Sequence, residues 1–327
     1  MNKLIYISVF FLIIFTGCST KQYYEPEDTS SFKEDTIDLD ASIIDLNSDG
    51  ATLENDQFIS KTGIIRNTKE NYKFLNFSDG TILASDSNGS IYLNNQMTDS
   101  IIHFDKNIIA AAKSKNLLAF ISIDNSITLY NLDTKQVLFK NYLKSSIINN
   151  IKIANPIFLS SVVLYPTLDG KIVIVNLEKN TVIKTINIDP KSDINNVIFI
   201  KEVNDTLIAA TTKKLFTFVN SKVNLKDLDV QNIIVNKNNI YVATLDGEII
   251  KYDFSLNKLA SKKFKFAKIN ALAFGTSLYA LESQDFLIRI SEDFKDAKVF
   301  DFSFDEEEKV IAIDNKIYFD DEYIILK

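Results

Sequence analysis

From position 70 onward the apolar residues fall in short runs rich in Ile, Val, Leu, Phe and Tyr, and tight polar turns separate one run from the next. Runs of about six residues, alternating or continuously apolar, predict strands, and few segments hold the 3.6-residue period of a helix. The pattern repeats. "TILASDSNGSIYLNN" from Thr81, "LLAFISIDNSITLYNLDTKQVLFK" from Leu117 and "IYVATLDGEIIKYDFSLNKLASKKF" from Ile240 each read as strand, tight turn, strand, with a looser turn and a third strand in the longer copies. Seven turn positions mark the units: Asn88, Asp124, Asp169, Lys213, Asp246, Gln284 and Asp320. They are spaced by 33 to 45 residues, with a mean near 39. That is the size of a four-stranded β-propeller blade, and segments such as "INNVIFI", "VQNIIVN" and "INALAFG" supply the strand before each hairpin.

The last unit stops at Lys327 after its third strand. A strand edge left unpaired templates aggregation, so a further strand is needed to complete that blade. Residues 50–67 are strand-like and precede the first complete unit. The expectation is therefore an all-β chain, a seven-bladed propeller of four-stranded antiparallel blades over residues 41–327, closed by that N-terminal strand. An eighth blade, made from residues 42–66 alone, is the alternative.

Two copies point to a family. "SITLYNLDTKQVLFK" from Ser126 and "KIVIVNLEKNTVIKTI" from Lys171 resemble the repeat of pyrroloquinoline-quinone-like propellers, with Phe139 where that repeat ends in tryptophan; the chain has no Trp. At the amino terminus, Lys3 precedes an apolar run over residues 4–15, shorter than the roughly 20 residues that span a bilayer as a helix, which is the pattern of a signal peptide. Phe15-Thr16-Gly17-Cys18-Ser19 resembles the bacterial lipobox. That resemblance implies removal of residues 1–17 and lipidation of Cys18, with the membrane as one partner; more than one acyl chain gives stable anchoring. Ser19, rather than Asp, implies the outer membrane, with the protein facing the periplasm. Residues 18–40 are polar and acidic and read as a flexible tether.

A lipobox joined to this repeat is similar to the propeller lipoproteins of the outer-membrane β-barrel assembly machinery. The resemblance covers residues 50–327. It implies a non-catalytic scaffold for protein–protein interaction, with the β-barrel assembly complex as partner. Two other readings stand beside it: a small ligand or glycan held in the central funnel, and a carboxylate-dependent hydrolase, which needs only a pair of acids.

Composition narrows the chemistry. The net charge of −7 and pI near 5.0 argue against nucleic acid, whose phosphates call for a basic patch. One cysteine rules out an internal disulfide. The only histidine, His103, falls on an expected outer strand in "SIIHFDK" and reads as a surface residue; it has no second histidine to make a zinc site. No phosphate loop, serine elbow or cysteine pair is present, so no catalytic residue and no cofactor is assigned. Asp45, Asn47, Asp49 and Asp56 lie at calcium-loop spacing around Gly50, although Leu46 and Leu53 interrupt the loop and an Asx turn explains the same residues. The acidic run 305–309 reads as a solvated loop, and Lys262, Lys263 and Lys265 as protection of an outer edge.

Overall fold

The computed structural model describes residues 22–327, apart from 67–68, 96, 147, 149, 192–194 and 305–308. Every regular element in these residues is a strand. The strands form eight sheets, and in seven of them four consecutive strands make an antiparallel meander that runs from the axis outward. Blades 1 to 7 span residues 43–65, 73–103, 108–142, 157–187, 199–227, 230–263 and 269–301. Blade 8 takes Val310–Ile313, Lys316–Phe319 and Glu322–Ile325 from the C-terminal part of the chain and its outer strand, Ile37–Asp38, from the N-terminal part.

The ring therefore has eight blades, not seven. Residues 50–67 do not close it: they are most of blade 1, whose strands Ile43–Leu46, Ala51–Leu53, Phe58–Ser60 and Gly63–Ile65 are too short to carry the hairpin signature of the other copies. Closure by an N-terminal strand holds, but the strand is Ile37–Asp38, pairing with Tyr323 and Glu322.

The core lies between blades rather than within them. Alanines, Leu, Ile and Val from the inner two or three strands of each blade meet their neighbours in a series of clusters around the ring, while the outer strands are largely exposed. The tight turns recur with the same chemistry. In blades 4 and 6, Thr167 and Thr244 donate to Asp169 and Asp246 two residues on, at 2.6 and 2.5 Å, and accept from the main-chain N–H of Lys171 and Glu248. The glycine after the second of these acids is obligatory: Gly247 has φ +79°, and a Cβ there would lie 2.2 Å from the Phe264 carbonyl oxygen of the connection to blade 7.

Candidate protein-interaction surface

The axis of the ring is occupied by the chain itself. The connection from blade 3 to blade 4 carries Lys152, Ile153 and Asn155. Asn155 donates to the Leu75 carbonyl in blade 2 at 2.8 Å and to Asp49 in blade 1 at 2.7 Å, and accepts from the Ala111 N–H in blade 3. Ser48 of blade 1 donates to the Ile153 carbonyl, and Lys152 donates to Asn232 of blade 6 at 2.8 Å. Blades 2 and 6 are diametrically opposed in an eight-membered ring, so a segment of four residues that bonds both must cross the axis. Asn196 fixes it from the blade 5 side, donating to the main chain of Asn150 and Lys152. Burial lowers the Lys152 ammonium from 10.5 to about 8. Its hydrogen-bond partner among the described residues, Asn232, is an amide and not a carboxylate.

The calcium-spaced residues belong to this arrangement. Asn47 closes the first turn of blade 1 by accepting from the N–H groups of Asp49 and Gly50, and donates to the carbonyls of Phe74 and Leu75. Asp49 receives Asn155 and Ser48, Asp45 pairs with Lys73 at 3.1 Å, and Asp56 stands apart in the second turn with φ +63°. Among the described residues no three His, Cys, Asp or Glu side chains gather as a metal site requires. Cys18 and the lipobox lie outside the described residues, as do residues 305–308 of the acidic run.

Two grooves open between blades on the rim, and they differ in sign. The groove between blades 2 and 3, about 730 Å³, is walled on one side by the outer strand Asp99–His103 and on the other by Lys113, Lys115, Asp133 and Lys135. His103 is on this outer strand, as expected, exposed and 3.5 Å from the Ser90 hydroxyl. Lys113 is neutralised by Asp79 at 3.0 Å, and together with the Lys115 N–H it holds that carboxyl below its ordinary range. Lys115 and Lys135 are exposed and form no ion pair among the described residues. The groove between blades 5 and 6, about 600 Å³, holds five carboxylates against three lysines. Its charges are largely satisfied internally: Lys213 pairs with Asp229 at 2.6 Å, Lys214 with Asp227, and Lys258 with Glu248 at 2.7 Å. The Lys263 ammonium and the Thr244 hydroxyl hold Asp246 below the usual carboxylate range. Lys262 and Lys263 lie on an outer strand as expected; Lys265 follows it and sits over the Phe266 ring.

The N-terminal segment expected as a tether is seated on the rim from Tyr24 onward. Tyr24 meets Phe264 and Phe286 edge-on at 6.0 and 5.7 Å, Ser30–Ser31 adds a fifth strand parallel to Ala297–Asp301 of blade 7, and Phe32 packs edge-on against Phe300 and Phe302. Sequence reasoning missed the axial segment and this fifth strand. Their polar residues read as loop, and nothing local distinguishes an asparagine that bridges blades from one that closes a turn.

Comparison with known proteins adds sequence relatives and structural neighbours. No family model matches the chain. It is 28% identical, over 99% of its length and 71% of theirs, to the plasminogen-binding protein PgbB of Helicobacter pylori strain J99, and 27% identical to the same protein of strain 26695. Among solved structures the ring resembles BamB from Moraxella catarrhalis, at 13% identity and a TM-score of 0.66 over 91% of this chain and all of that one. It also resembles the C-terminal WD40 domain of Sif2, at 13% identity and a TM-score of 0.65 over 92% of this chain. At such identities these structures speak for the β-propeller fold alone.

Proposed function

We propose that this protein is a non-catalytic propeller that binds other proteins at the bacterial cell envelope, anchored through lipid on Cys18, and that plasminogen is among its ligands. The observation that carries the reading is the likeness to PgbB, which runs over nearly the whole chain rather than over one blade. A ring whose axis is crossed by its own chain supports binding at the rim rather than in a funnel. An outer-membrane site follows from the lipobox and Ser19. A scaffold role in β-barrel protein assembly is the second reading, favoured by the lipobox joined to a BamB-like ring.

The test is a binding isotherm of the purified ring, residues 18–327, on immobilised plasminogen. Saturable binding supports the reading. Absence of binding by protein that is folded by circular dichroism overturns it and leaves the assembly scaffold, which crosslinking in cells with mass spectrometry of co-purified membrane proteins would then examine. Cys18→Ala should move the protein from the membrane pellet to the soluble fraction; retention after alkaline washing counts against the anchor.

A further inference from the structure

The outer edges of the blades are not treated alike. Outer strands of five residues or more carry lysine in blade 3 (Lys140), blade 4 (Lys184), blade 5 (Lys222, Lys226), blade 6 (Lys258, Lys262, Lys263) and blade 7 (Lys298). Edge lysines are a standard block to strand pairing, because addition of another chain would desolvate the ammonium. Asp99–His103 of blade 2 is the exception. Its five residues include no lysine, its Ile101 is 49% exposed, and it lies at the free edge of its sheet.

This lysine-free edge is also the wall of the basic groove; opposite it Lys113 is paired with Asp79 and Asp133 accepts from Asn116, which leaves Lys115 and Lys135 to face a ligand. Elsewhere the molecule shows what is added to an outer edge, even one that carries a lysine. On blade 7 the extra strand Ser30–Ser31 follows the acidic, aromatic stretch Tyr24, Glu25, Glu27 and Asp28, and Thr29 donates to Asp301 at 2.9 Å. There the edge carries Lys298, and the chain itself supplies the cover.

From these observations we infer that the outer strand Asp99–His103 is a docking edge for an extended acidic segment of a partner protein. The segment adds as a fifth strand in the groove between blades 2 and 3, with its carboxylates toward Lys115 and Lys135. The main chain of the edge supplies affinity, and the lysine wall selects charge. The inference rests on the reading of the ring as a protein-binding module and deepens it.

The experiment uses the full ring and a fluorescent ten-residue peptide that alternates Glu with Val and contains one Tyr, followed by anisotropy. Saturable binding is expected, together with slowed hydrogen exchange of the amides of residues 99–103. The double variant Lys115→Glu, Lys135→Glu should bind at least tenfold more weakly, as should the peptide N-methylated at alternate residues in one of its two phases, because one edge of an added strand must donate. No binding by folded protein, equal binding of both methylated phases, or an unaltered double variant overturns the inference. Plasminogen binding measured on the native ring separates the two proposals: peptide bound without plasminogen overturns the plasminogen reading alone, and plasminogen bound without the peptide overturns the groove inference alone.

Discussion

The centre and the rim of this ring are covered by two connecting segments of the same chain, and they are covered differently. At the axis, Asn155, Lys152 and the main chain at Ile153 are bonded to blades on opposite sides, so the segment is a cross-brace. On the rim, residues 24–38 lie along blades 7 and 8 through a few aromatic contacts and two short strand pairings. The outer edge of blade 2 has neither a covering segment nor, unlike the other outer strands of five residues or more, a lysine. The difference teaches where binding can occur without unfolding anything: a ligand at the axis would have to displace buried hydrogen bonds, whereas a strand at the rim adds to groups that now face water.

The comparison breaks most visibly at the centre. Asn155→Ala leaves the buried Ala111 N–H without its acceptor and takes one of two donors from the Leu75 carbonyl, which Asn47 still reaches, and a loss of about 2 kcal/mol in urea unfolding is expected. A loss near zero would mean that the brace is ornamental. On the rim, Phe32→Ala removes a ring packed between Phe300 and Phe302 and should cost about 2 kcal/mol. It should also free the blade 7 edge, which light scattering would detect as concentration-dependent association.

A pH series sharpens the contrast further. Lys152 holds its proton only to about 8 in the folded ring, against an ordinary value of 10.5 in the unfolded chain. Between those values the unfolded chain binds more protons, so stability rises with pH across the window from about 8 to 10.5. The rise should be present in the native ring and absent in Lys152→Met. A parallel slope in both proteins would show that the ammonium is solvated in the folded ring. The smallest effect belongs to the exposed groove: Lys115→Glu should leave the denaturation midpoint unchanged, since surface changes away from packed contacts scarcely move stability.

Much of the fold was legible because hairpins announce themselves locally. Asn88-Gly89, Asp169-Gly170 and Asp246-Gly247 each set a left-handed turn between two apolar runs, and His103 and Lys262 could be assigned to outer strands from their distance to those turns. Blade 1 was misassigned because its strands have only three or four residues and its inner turn folds toward the axial segment rather than standing clear. The acidic stretch 24–38 looked like tether because its seat depends on partners about 240 to 290 positions away, such as Phe264, Phe300 and Glu322.

By itself the sequence determined the repeated unit, its β character and the chemistry of its turns, since each rests on neighbours within a few residues. Only the tertiary structure decided the number of blades, the closing strand, the filled axis and the bare edge beside a lysine wall. Ring closure is a condition on all blades at once, satisfied by contacts between residues far apart in the chain, and no local pattern contains it.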